Sequence, residues 1–315
     1  MKMIIMNVAL WRLGGWVGLA VILLCAACGT AGKPTTRPGQ LNIVVAFYPF
    51  QFITERVAGS RATVNSLTAP GAEPHDIELT AQQVASVTEA DLVVYERSFQ
   101  PAVDDAVTQS GNAHVLDTAS VVPLVPAERD GQGQPSEQGA SGALDPHVWL
   151  DPGNMITIAQ AVARQLAGID PDHAQSYRHN AAVLEQQLTG LSAQYTSGLK
   201  RCQRREFITT HAAFGYLARH YGLLQTGISG LSPDTEPSPA RIAAIQAEAT
   251  AHQITTIFYE TLVSPAVANS IANDLHLKTD VLDPIEGITE QSRGTDYIAV
   301  MQSNLKSLRA ANGCG

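Results

Sequence analysis

A basic excess, an abundance of aromatic rings and a common zinc-hydrolase motif are all missing from this chain, and each absence removes a class of function. Of its 315 residues only 6% are aromatic, and 29 Asp and Glu outweigh 20 Lys and Arg, giving a formal net charge of −9. Nucleic-acid binding needs basic stripes for phosphate and exposed rings for base stacking, so that class is excluded. No His-Glu-x-x-His segment occurs, which removes the usual helical signature of metallohydrolases. No convincing internal repeat is present either, although the two halves of the chain have a similar layout.

What is there begins with an export signal. Lys2 and Arg12 give a weakly basic start, and an apolar run from Trp16 to Leu24 ends in Ala26-Ala27 directly before Cys28. The run is too short and too abruptly ended for a permanent membrane helix. Small residues before a cysteine resemble the lipobox, at which the cysteine is acylated and becomes the new N-terminus. Cys25 stands where that motif usually has Leu, and the alternative is a secreted soluble protein cut nearby. Residues 1–28 are therefore set apart as a leader, and 29–40, rich in Gly, Thr and Pro, as a tether. Export to an oxidising compartment changes the meaning of the remaining cysteines: Cys202 and Cys314 form an even pair and are expected to be bonded.

The rest reads as α/β. Short β-branched runs (Leu41–Ala46, Ala62–Leu67, Asp91–Tyr95, Ala113–Leu116) alternate with helical stretches, and the same rhythm returns after residue 205. Strands separated by helices imply parallel sheets in βαβ units. Residues 126–143 break the rhythm with almost no apolar content and read as a mobile surface loop. From Pro171 to about Leu199 one helix is expected, with Leu184, Leu188, Leu191 and Tyr195 on one stripe; about 28 residues span about 42 Å, a strut between two lobes. The expected organisation is two Rossmann-like lobes, 41–170 and 200–315, joined by a rigid helix over 171–199.

Three histidine segments carry the chemistry: Pro74-His75-Asp76, Asp145-Pro146-His147-Val148-Trp149 and Thr209-Thr210-His211. Each lies where strand-like sequence gives way to a loop or helix start, and ligands of open parallel sheets sit beyond the carboxyl ends of strands. Three neutral imidazoles and one carboxylate complete a tetrahedral shell for a divalent ion such as zinc. Asp283, at the end of the Thr279–Leu282 strand, is the expected fourth ligand. Glu260 competes for that role, or orients an imidazole by accepting its other N–H. His211 is expected just ahead of a helix N-terminus, which disfavours the imidazolium. His173, His179, His220, His252 and His276 read as surface residues, and His114 as structural.

Taken together, Gly71-Ala72-Glu73-Pro74-His75, Asp145 to Pro152 and Thr210 to Leu217 resemble the signatures of zinc/manganese-type solute-binding lipoproteins (cluster A-I) of bacterial ABC importers, over about Leu41 to Ala311. The resemblance implies two α/β lobes on a rigid helix, His75, His147, His211 and Asp283 as ligands, a monomer anchored outside the cell membrane through Cys28, and delivery of the ion to a membrane permease. It implies a transport function rather than an enzyme. A histidine as third ligand favours zinc, with manganese as the alternative. Zinc members often carry a histidine-rich loop, yet residues 126–143 contain no histidine. Were Asp283 not a ligand, the three histidines would leave an open position, with Glu260 as base, and a zinc hydrolase would result.

Overall fold

The computed structural model describes residues 39–127 and 143–315. The leader, Cys28, the tether up to Pro38 and residues 128–142 of the expected loop lie outside the described residues. Among the described residues no helix is long and apolar enough to cross a membrane.

The first sheet is built from β1 (Leu41–Val45), β2 (Ala62–Ser66), β3 (Leu92–Tyr95) and β4 (Val115–Asp117), with α1 (Tyr48–Ala58), α2 (Ala81–Glu89) and α3 (Pro101–Ser110) between them. Its order is β2-β1-β3-β4 and every pairing is parallel. A parallel sheet is covered on both faces, so its central strands read as unbroken apolar runs; Ile43 to Val45 and Leu92 to Val94 are all fully buried. Helix starts follow their local chemistry. Thr80 and Gln83 form a capping box at α2, and Pro101 opens α3 at a position that needs no N–H donor.

A two-stranded antiparallel ribbon, β5 (Val125–Pro126) with β6 (Leu144–Asp145), leads through His147 and a 3-10 turn (Val148–Leu150) into α4 (Pro152–Ile169). Asp151 caps α4 by accepting from the Gly153 N–H. After a 3-10 turn at Pro171–His173 comes the long helix α5 (Ala174–Gly198), of 25 residues. Its buried stripe is Tyr177, Ala181, Leu184, Leu188, Leu191 and Tyr195. Spacings of three and four keep these on one face, and each large side chain contributes about 1.5–3 kcal/mol by leaving water. The stripe packs on α1 and α4 of the first half and on the closing helix of the second, α9 (Tyr297–Asn312).

The second sheet holds β7 (Glu206–Thr209), β8 (Leu224–Gly227), β9 (Thr256–Tyr259) and β10 (Lys278–Val281), with α6 (Gly215–Tyr221), α7 (Pro239–Ala251) and α8 (Ala266–Asp274), and closes with α9 (Tyr297–Asn312). Its order is β10-β9-β7-β8, again all parallel. Numbered within each half, both sheets read 2-1-3-4, so the shared layout is a shared topology without sequence repetition. Strand β8 has no counterpart in the sequence reading. It is an edge strand whose residues Leu-Gln-Thr-Gly carry one large apolar side chain, and that Leu224 is exposed. Cys202 and Cys314 are joined by a disulfide, which fastens the end of α9 to the segment entering β7. One hydrophobic core runs from Ile43 to Ala311 through both halves, and a smaller isoleucine-rich cluster lies on one face of the second sheet.

Candidate metal centre

The two sheets turn their carboxyl ends toward a common point. His75 comes from the loop between β2 and α2, His147 from the turn after β6, and His211 from two residues beyond β7. The fourth group at that point is Glu286, five residues beyond β10. The four candidate ligand atoms all lie within 4.8 Å of one another. His75 Nε2 and His147 Nε2 are 3.4 Å apart. Glu286 Oε1 stands 3.5 Å from His211 Nε2, 3.8 Å from His147 Nε2 and 3.9 Å from His75 Nε2. A regular tetrahedron with metal–ligand bonds of about 2.0–2.1 Å has edges of about 3.3–3.4 Å. Four of the six edges here, at 3.4–3.9 Å, lie at or somewhat above that length.

The atoms facing the centre lack other partners. His211 Nε2 and both carboxylate oxygens of Glu286 are buried without a hydrogen bond. Orphaned buried polar atoms are costly, and three that converge beside two imidazole nitrogens make a site suited to a cation. His147, His211 and Glu286 are all but sealed from solvent; the His75 side chain retains 9% exposure. Behind the first two histidines stands an aromatic wall. Phe99 meets His75 edge-on, Trp149 packs on His147, and Phe47 packs on both Phe99 and Trp149.

Each imidazole has its other nitrogen committed to a carboxylate. His75 Nδ1 bonds Glu73 Oε1, His147 Nδ1 bonds Asp145 Oδ1 at 2.8 Å, and His211 Nδ1 bonds Glu260 Oε1 at 2.8 Å. Such a partner fixes ring orientation and leaves the Nε2 lone pair free for a metal. In the first half the device is local. Glu73-Pro74-His75 and Asp145-Pro146-His147 share an acid-Pro-His pattern, in which the acid also accepts from the histidine backbone N–H (3.0 and 2.9 Å). In the second half it depends on the sheet. Register pairs Thr209 with Phe258, so the residues two further on, His211 and Glu260, emerge side by side. Glu260 thus stands where it can orient His211. Glu73 and Asp145 went unassigned in the sequence reading, although the repeated acid-Pro-His pattern was there to be seen.

The structure corrects the expectation for Asp283. Asp283 is not among the four converging groups, and its carboxylate accepts from the Ile285 N–H (2.8 Å) and the Thr261 hydroxyl (3.1 Å). Its backbone is gripped on both sides by Asn304. Asp283 thereby shapes the turn that presents Glu286. Ile285 adopts φ 60, a left-handed conformation rare for a β-branched residue, inside that turn. Trp149 clasps it from the other lobe by donating its indole N–H to the Pro284 carbonyl (2.7 Å). Glu286 followed no strand directly and carried no motif, so periodicity gave no reason to choose it.

The electrostatics also differ from the sequence expectation. Helix α6 begins at Gly215, four residues beyond His211, rather than beside it. Burial alone would strip the proton from His211, but Glu260 and then Glu286 outweigh it and hold its pKa well above the ordinary histidine value. His147 is pushed well below that value by burial and then by the neighbouring rings of His211 and His75. Burial lifts Asp145 to about 7 and raises Glu286, whereas Glu260, despite burial, is lowered by His211. The surface histidines pair outside the site: His173 with Asp170, His220 with Asp151 and His252 with Glu206.

Comparison with known proteins agrees with this geometry. Residues 43–311 match the family described as zinc-uptake complex component A, periplasmic. The chain is 35% identical over 309 residues to the high-affinity zinc uptake system protein ZnuA of Bacillus subtilis, covering 93% of this chain and 97% of that protein. It is 37% identical over 305 residues to the zinc-binding lipoprotein AdcA of Streptococcus pneumoniae, covering 93% of this chain but only 60% of the relative's length. The Zn(II)-bound ZnuA-like domain of that AdcA superposes with a TM-score of 0.74 at 36% identity, covering 87% of this chain and 99% of the domain. With its two parallel sheets, long helix and His3Glu cage, the chain belongs to the family of periplasmic zinc-uptake components.

Proposed function

We propose that this protein is the extracytoplasmic solute-binding component of an ABC importer, which captures zinc between its lobes and delivers it to a membrane permease. The observation that carries this reading is the convergence of three Nε2 atoms and one carboxylate oxygen within 4.8 Å. Nitrogen-rich tetrahedral sites suit zinc, whereas manganese favours more oxygen ligands and octahedral geometry. Four protein ligands complete the shell and leave no open position for a reactive water, which argues for carriage rather than hydrolysis. His75, His147, His211 and Glu286 are the ligands in this reading, with Glu73, Asp145 and Glu260 orienting the rings.

The remaining assignments follow from the same reading. Residues 41–170 and 200–315 act as the two lobes, with 171–199 between them, and Cys28 carries a lipid that keeps the protein at the outer face of the cell membrane. The partner is the permease of an ABC system, and the protein works as a monomer. Metal analysis of protein purified without added metal, followed by zinc-against-manganese competition in a calorimeter, tests the function. The expected result is one zinc per chain that manganese displaces only in large excess. Preference for manganese, or no stoichiometric metal, would overturn it.

A further inference from the structure

The segment that supplies His211 also touches the residue that holds His147, although the two histidines come from opposite lobes. Helix α6 starts at Gly215, and a Cβ at that position would lie 2.5 Å from Asp145 Oδ2. The next residue, Tyr216, donates its hydroxyl to the Asp145 carbonyl and accepts the Val125 N–H, both at 3.0 Å. One side chain from the second lobe thus bridges both strands of the β5–β6 ribbon. Tyr216 is buried, and burial lifts its pKa to about 12, so the hydroxyl keeps the proton it donates.

Asp145 divides its carboxylate between the lobes. Oδ1 accepts both the backbone N–H and the Nδ1 of His147, and Oδ2 lies against Gly215. The side chain is short and buried, with its other oxygen committed. It therefore cannot swing clear of an added methyl group without loosening the ring it orients. We propose that Gly215 and Tyr216 form a latch between the lobes that positions Asp145, and through it His147, for the metal. Parting the lobes withdraws the support of α6 from the ribbon and weakens the site from the His147 side, which gives a docking permease a means of release. The inference deepens the zinc-carrier reading and rests on it. Gly215 and Tyr216 are positioning residues; neither touches the ion.

The test is zinc release into excess chelator, followed by stopped flow, with thermal unfolding of the metal-free protein alongside. Tyr216→Phe keeps the ring and removes both hydrogen bonds; release should quicken roughly five- to tenfold. Gly215→Ala displaces the carboxylate and should quicken release about 10–100-fold, the range for losing the partner of a metal-bound imidazole. In an Asp145→Ala background the same methyl group meets no carboxylate, so Gly215→Ala should add almost nothing. Wild-type release rates in both single variants, or an undiminished Gly215→Ala effect in that background, would overturn the latch. If Gly215→Ala fails to fold, Tyr216→Phe decides. A metal-free readout separates this idea from the zinc assignment: the His147 Nδ1–H signal in nitrogen-edited NMR should shift or broaden in Tyr216→Phe. An unchanged signal with an unchanged release rate refutes the latch, whereas a wild type that binds no zinc refutes the carrier function and leaves the NMR result to judge the latch.

Discussion

His75 and His147, from the first half, are each oriented by an acid two residues earlier in the chain, whereas His211 in the second half is oriented by Glu260, 49 residues away. The other ligand candidate of the second half, Glu286, depends on a turn shaped by Asp283, Asn304 and Trp149. Both halves share the 2-1-3-4 strand order, yet they place ligands differently: after the second strand and after the β5–β6 ribbon in one, after the first and fourth strands in the other. The same scaffold therefore supports two constructions. In the first half the acid comes from the same turn as the ring it orients, an acid-Pro-His segment, although the Asp145 copy also meets Gly215 and Tyr216 from the second half. In the second half the ligands are correct only when the sheet is in register and the last turn is strained into place.

The largest expected effect bears on the second half. A ligand that binds only the folded state stabilises it by mass action, about 4 kcal/mol at a thousandfold excess over the dissociation constant. His211→Ala should remove most of that stabilisation, read as the zinc-induced rise in melting temperature. Glu286→Gln should remove more of it than Asp283→Asn does. The reverse order would restore Asp283 as the ligand.

The orienting acids sharpen the contrast. Asp145→Asn and Glu260→Gln should each weaken zinc binding about 10–100-fold, measured by chelator competition. Glu73→Gln should cost less, because its side chain is 18% exposed and water can replace the lost acceptor. Equal losses at Glu73 and Glu260 would erase the distinction between a locally preset ring and one held by the sheet.

The smallest effect is that of pH. The raised pKa of His211 means that its ring keeps a proton to higher pH than an ordinary histidine does, and capture of zinc must release it. Binding should therefore weaken by about tenfold per pH unit for each proton displaced, as pH falls below the value at which that proton is lost. Asp145, lifted to about 7, adds a further proton below neutrality. Calorimetry in buffers of different ionisation enthalpy reads the number directly. Zinc binding without proton release at about pH 6 would contradict the raised pKa of His211.

Much of the architecture was legible from periodicity. The apolar runs at β1 and β3 and the stripe on α5 carry enough buried side chains to declare themselves. Strand β8 and the β5–β6 ribbon were not legible, because an edge strand and a two-residue ribbon have too few inward residues to leave a pattern. The start of α6 was misread for a related reason: Ala212, Ala213 and Phe214 are helix-compatible, but the Ala212 N–H bonds the Gly230 carbonyl and defers the helix to Gly215.

Composition, the three histidine segments and the alternation of strands with helices determined the class of fold, the kind of metal site and two of its acid-Pro-His turns, because those depend on short stretches of chain. Which carboxylate faces the metal, which acid turns His211 and how one lobe grips the other were decided only in three dimensions. Those choices are made by strand register, by the closing turn after β10 and by burial, and none of the three is a property of any local segment.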